Sequence, residues 1–182
     1  MNTLETIKTV LQQGKTNTDE ALKLFDELDT VDLEFMIGRW KGSGLHTNHP
    51  MDGLLEATNW YGKEFIDPDC VHPLLFLNNH DRIFKVAPIL MGMNLALRFP
   101  INKNPAIKPL LNIMLSLLKT EKSQARIRMM EHRQKISATM IYDRLPINDI
   151  FRKVDDNTVL GLMDFKGIKQ PFFFILNRST PE

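Results

Sequence analysis

Cysteine is almost missing from this chain. Cys70 is the single one in 182 residues, which excludes an internal disulfide and any multi-cysteine zinc site. Its neighbours Asp67 and Asp69 disfavour a thiolate, so Cys70 reads as structural rather than nucleophilic. Charge of one sign is missing too: 23 Lys+Arg stand against 22 Asp+Glu, leaving no overall field to attract nucleic acid or an anionic membrane. No nucleic-acid partner is expected. The apolar stretch Leu110 to Leu118 is about half as long as a membrane-spanning helix, so no stable membrane insertion is expected. The N-terminus has no basic start, and Glu5, Gln12 and Gln13 interrupt what would be the apolar part of a secretory signal, which points to a cytoplasmic protein. Phosphate-binding glycine loops, nucleophile elbows and dinucleotide fingerprints are absent as well, because Gly38, Gly42 and Gly44 follow the wrong spacing for any of them.

What is present suits one core. With 43% apolar residues the chain can fill a single domain over 1–182. Residues 1–30 read as two helices. Asn2 and Glu5 have capping-box spacing before Leu4, Ile7 and Leu11, with Gly14 as the stop. Asn17 and Glu20 repeat that spacing before Ala21, Leu24, Phe25 and Leu28, a one-sided stripe that must lie on something. Residues 31–87 turn to strand signals at 39–47, 71–77 and 82–87, with 54–65 open between a helix turn and a bulged strand. Residues 88–122 form a helical insertion in which 106–118 is expected to be a helix packing Ile107, Leu110, Leu111, Met114 and Leu118 over a barrel opening. Residues 123–182 read as a β-meander with strands near 125–131, 136–143, 148–154, 159–165 and 171–178. The three consecutive residues Phe172, Phe173 and Phe174 must put aromatic surface on both faces of the last strand. The fold class is therefore mainly β with helical additions, and an antiparallel barrel suits it better than a sandwich because closure removes exposed edges.

At Gly38-Arg39-Trp40-Lys41-Gly42 the chain resembles the GXWXG family. The resemblance extends through His49-Pro50-Met51-Asp52-Gly53 and Trp60-Tyr61-Gly62-Lys63. It resumes in a C-terminal domain of unknown function, from Ser137-Ala138-Thr139-Met140-Ile141-Tyr142-Asp143 through Leu145-Pro146-Ile147 and Arg152-Lys153-Val154-Asp155-Asp156 to Leu160-Gly161-Leu162-Met163-Asp164. The resemblance brings no established activity. Gly-X-Trp is also similar to the first-strand signature of lipocalins (calycins), in which the Trp closes one end of the barrel. It implies a lipocalin-like barrel with a structural Trp40. A closed barrel further predicts that Arg178, near the end of the last strand, lays its guanidinium across Trp40.

Candidate chemistry is sparse. His46, His49 and Asp52 could supply metal ligands, but a polar Pro50-containing loop needs no metal and none is assigned. Tyr142, Asp143, Asp149 and Arg152 stand on two consecutive strands among apolar residues, where alternation must send some of them inward. An inward Asp149 must be paired or hydrogen-bonded, as an anchor or as a proton-transfer group. Flexible thioethers, Met163 among ten methionines, suit either core filling or an adaptable binding site.

The leading expectation is a binding protein or carrier for a small apolar or amphipathic molecule held in the barrel. Its expected ligand-binding residues are His49, Asp52, Trp60, Tyr142, Asp149, Arg152, Met163 and Asp164. The alternative is a cofactor-independent isomerase or lyase in which Asp149 or His49 moves a proton and Tyr142 or Arg152 stabilises negative charge. A third reading is a haem barrel with His46, His49, His72, His80 or His132 as axial ligand; otherwise no cofactor is expected. Homo-oligomer formation is left open.

Overall fold

The structure, a computed structural model, describes residues 3–88 and 108–179. Two helices lead, α1 (Thr3–Gln13) and α2 (Thr18–Glu27). Gly14 ends the first at φ +64°, a left-handed value that costs glycine nothing, and Asn17 caps the second by accepting from the Glu20 amide at 2.9 Å. The Asn2 cap lies outside the described residues. A two-residue strand β1 (Asp29–Thr30) and a single helical turn α3 (Leu33–Met36) precede β2 (Gly38–Leu45). The open stretch 54–65 resolves into both alternatives. Gly53 at φ +84° starts the turn α4 (Leu54–Ala57), Asn59 at φ +54° stops it, and β3 (Trp60–Asp67) follows. Then come β4 (Cys70–Leu77), β5 (Ile83–Lys85), α5 (Lys108–Leu117), β6 (Ala125–His132), β7 (Lys135–Tyr142), β8 (Ile147–Asp155), β9 (Thr158–Phe165) and β10 (Phe172–Arg178).

The sheet is antiparallel and rings round into a barrel. β2 pairs β3, β3 pairs β4, β4 meets β6, and the meander β6 to β10 returns to β2, each strand hydrogen-bonded to the next. β1 and β5 are short additions on β8 and β4. The β4–β6 seam is the thinnest of the ring, with one register pair, Val71 and Ala125.

Alternation divides the strands between two cores. Odd positions Ile147 and Phe151, Val159 and Met163, and even positions Phe172 and Phe174, join Trp40, Trp60, Phe65, Met140 and Tyr142 inside the ring. Ile150, Val154, Leu160, Leu162, Phe173 and Ile175 face outward and are covered by Ile7, Ala21, Leu24, Phe25 and Leu28 of α1 and α2. Each such fully buried side chain contributes roughly 1.5–3 kcal/mol. The phenylalanine triplet is thereby explained: Phe172 and Phe174 fill the barrel while Phe173 meets Phe25 edge-on at 6.3 Å. Two glycines make room for the inner rings. A Cβ on Gly42 would stand 2.0 Å from the Trp60 ring, and one on Gly161 would stand 2.3 Å from Phe174.

In α5 the buried contact is made by Leu115 rather than Met114, with half-buried Leu118 just beyond the helix packing on the same core, while Ile113 and Leu117 face solvent. Ile107 and the Leu110 and Leu111 side chains expected on that face lie outside the described residues, as do Met91 and Met93. Among the described residues no helix is long and apolar enough to cross a membrane.

Candidate functional site

Strand β3 sets up the site by breaking its own alternation. Trp60 points into the barrel, so a regular strand would send Lys63 out. Register shifts on both sides of Gly62, whose φ is +146° and whose added Cβ would fall 1.9 Å from the Trp40 carbonyl oxygen, turn Lys63 and Phe65 inward instead. The result is a lysine only 3% exposed inside a barrel of aromatic rings. Its ammonium lies 5.6 Å from the Trp60 ring centroid, 5.7 Å from that of Tyr142 and 4.9 Å from that of Phe174. These faces favour a desolvated cation.

The charge is answered by Asp149. Lys63 Nζ stands 2.8 Å from Asp149 Oδ2, and it also donates to the Pro73 carbonyl at 3.2 Å and, at a long 3.5 Å, to the Tyr142 hydroxyl. Asp149 is 1% exposed and its Oδ1 has no hydrogen-bond partner among the described residues. Burial pushes the Asp149 carboxyl above its ordinary range, and the Lys63 charge pulls against that. Burial and the nearby Asp149 charge raise the Tyr142 hydroxyl well above its ordinary value, so it stays protonated and can donate. Trp60 contributes a second unpartnered group. Its buried indole N–H donates to nothing among the described residues, while the ring meets Phe174 edge-on at 6.0 Å.

A turn beside this cluster carries His49 and Asp52. Asp52 Oδ2 accepts from the Thr47 and His49 amides at 3.0 and 2.9 Å, and His49 Nδ1 accepts from the Met51 amide at 3.1 Å. That bond requires an unprotonated Nδ1, so the neutral ring carries its proton on Nε2, which has no partner of good geometry among the described residues. The ring rests 5.2 Å from Phe172, the first residue of β10, and Met51 enters the inner core. Burial lowers the His49 pKa, opposed by the Asp52 charge and the Gln170 backbone.

Of the residues expected to form a site, Trp60, Tyr142, Asp149 and Met163 face the interior, and His49 and Asp52 build the adjoining turn. Two do not join them. Arg152 is buried on the outer face, its guanidinium 4.8 Å over the Phe25 ring of α2 and donating to the His132 carbonyl at 3.0 Å. An odd separation from Asp149 on a regular strand forces this. Asp164, next to inward Met163, is exposed for the same reason. Asp143 is exposed and pairs with Arg126 at 2.7 Å. Among the five histidines, His46 is an exposed partner of Glu56 at 3.2 Å and His80 is exposed. Sequence reasoning did not place Lys63 in the site, although the resemblance covers it in Trp60-Tyr61-Gly62-Lys63.

At the other end of β2 the barrel is sealed. Trp40 is fully buried, its N–H donates to the Met36 carbonyl at 2.8 Å, and the Arg178 guanidinium lies 4.3 Å over its ring, with Trp40 and Arg178 opposed in register. The expected closure contact is therefore present. Arg178 also donates to the Phe35 and Ile37 carbonyls at 2.7 and 3.1 Å.

Residues 23–80, which hold the sealing Trp40 and the inward Lys63, match the family described as GXWXG protein. Residues 123–178, which supply Tyr142 and Asp149, match a domain of unknown function, DUF4334. The chain thus carries one region similar to each of these two families. Neither region makes the barrel alone, since β2 to β4 come from the first and β6 to β10 from the second, and the Lys63–Asp149 pair bridges them. A crystal structure of a protein from Thermomonospora curvata is similar at 29% identity and a TM-score of 0.75, covering 99% of this chain and 100% of that one. No curated protein matches the chain.

Proposed function

We propose that the protein binds and carries a small, mainly apolar molecule inside the barrel, with the polar end of the guest at Lys63, Asp149, Tyr142 and Trp60. One observation carries this reading: a buried ion pair among aromatic rings in which, among the described residues, an acceptor, Asp149 Oδ1, and a donor, Trp60 Nε1, have no partner. Buried polar groups left single cost about 1–3 kcal/mol each, and a guest that satisfies them recovers that cost. A ring of eight strands, β2 to β4 and β6 to β10, is also about the size at which lipocalin-like barrels hold one small ligand.

Native mass spectrometry of freshly purified protein tests this, followed by titration of stripped protein with the neutral apolar probe N-phenylnaphthylamine. A co-purifying small mass is expected, with probe-induced amide shifts at Tyr142, Asp149 and Met163. Shifts confined to the outer surface would overturn the reading.

A second reading is favoured by the elevated Asp149 carboxyl beside a protonated Tyr142: proton transfer on the guest, of isomerase or lyase type, with Asp149 as base and Tyr142 and Lys63 facing the developing negative charge. Arg152 has no part in it, because it lies outside the barrel. Exchange of guest C–H for deuterium that stops in Asp149→Asn would establish this reading over simple carriage.

A further inference from the structure

We infer that the barrel selects a neutral guest bearing a hydroxyl, an alcohol or phenol with an apolar body, and rejects the carboxylate of the same size. The inference rests on the carrier reading and names its ligand class. The lysine is the group that would ordinarily recruit a fatty carboxylate, but its charge is already spent. Its three donors face Asp149 Oδ2 at 2.8 Å, the Pro73 carbonyl at 3.2 Å and the Tyr142 hydroxyl at 3.5 Å. A carboxylate arriving here would meet a second carboxylate, and like charges in a desolvated interior repel strongly. Around Lys63, the buried side-chain atoms left without a partner among the described residues are one acceptor, Asp149 Oδ1, and one donor, Trp60 Nε1, both in side chains at least nine-tenths buried. A hydroxyl is the smallest head that gives one hydrogen bond and takes another. A guest with only an acceptor, such as an ether, leaves Asp149 Oδ1 unanswered, and a cationic head meets the Lys63 ammonium. The rings of Trp60, Phe174 and Phe151, packed edge-on to one another, supply the apolar surface that suits the body of such a guest.

The experiment is a comparison on the intact chain: hexanol and octanol against hexanoate and octanoate at neutral pH, by calorimetry and ligand-observed NMR. The alcohols are expected to bind about tenfold or more tightly than the matching carboxylates. In Asp149→Asn, where Lys63 loses its charge partner, the preference should shrink or invert. Trp60→Phe, which keeps a ring and removes only the N–H, should weaken the alcohols about threefold to tenfold. Carboxylates binding wild type as tightly as alcohols would overturn the inference while leaving carriage standing. An unchanged preference in a folded Asp149→Asn would overturn it too. Failure of every alcohol and carboxylate to bind would overturn the carrier reading itself.

Discussion

The two tryptophans sit at opposite ends of neighbouring strands, each with a cation over its ring, yet their surroundings differ. At Trp40 the donors have partners: the indole N–H reaches the Met36 carbonyl, and both terminal nitrogens of Arg178 reach the Phe35 and Ile37 carbonyls. At Trp60, among the described residues, the N–H has no partner, the cation is a lysine, and one oxygen of its partner carboxylate accepts from nothing. Arginine suits the first role because its planar charge stacks and donates in a fixed fork, whereas lysine offers a compact charge beside a single carboxylate. A cation on an aromatic ring is therefore no mark of a site. Inside the barrel, unsatisfied buried groups beside it point to a guest, since folding gains nothing from leaving them single.

The largest test of this contrast is Lys63→Met, which strands the Asp149 carboxylate in the barrel and should cost about 3–5 kcal/mol in urea unfolding. Lys63→Met combined with Asp149→Leu should recover most of that loss. If the double variant stays as unstable as the single one, the pair is a structural strut like Arg178, and the contrast fails. Gly42→Ala comes next. Its methyl would fall within the Trp60 ring, so Trp60 must move, at about 1–3 kcal/mol and with a changed tryptophan emission. Unchanged emission would show that Trp60 is loosely seated.

Arg178→Ala should be milder at the sealed end, losing roughly 0.5–2 kcal/mol of cation–ring attraction plus its carbonyl contacts, without altering guest affinity. A change in affinity would join the two ends into one functional unit. The smallest effect concerns pH. Burial holds the folded His49 pKa below its ordinary 6.5, so below that value the unfolded chain binds more protons. The stability from a neutral His49 is fully present above about 6.5 and is lost as pH falls through the lower folded value. His49→Asn keeps an acceptor for the Met51 amide and should flatten part of this acid loss, by less than about 1 kcal/mol, leaving the share from His72 and His132, which burial also lowers. An identical acid profile in the variant would show that His49 titrates alike in both states.

Much of the fold was legible because regular elements write their period into the chain. The stripe Ala21, Leu24, Phe25 and Leu28 demanded a surface, and Phe173 with Leu162 and Ile175 is that surface. Alternation along β7 to β10 placed Tyr142, Asp149 and Met163 inside, and the same rule should have placed Arg152 and Asp164 outside. Grouping Arg152 with Asp149 treated nearness in sequence as a shared face. Trp40 and Arg178 could be paired in advance because closure alone brings the first long strand beside the last.

Local periodicity and turn chemistry thus determined the helices, the meander, the covered outer face and the sealed end, all of which follow from contacts that repeat at short range. Lys63 was decided by tertiary structure. In the sequence it is one lysine after a glycine. Only the bulge at Gly62, pressed against the Trp40 carbonyl of the neighbouring strand, turns it inward, and only barrel closure brings Asp149 from the far side of the meander to within 2.8 Å. A side chain's face after a bulge depends on the packing of the partner strand, and a partner across a barrel depends on closure, so neither is written in the residues that surround it.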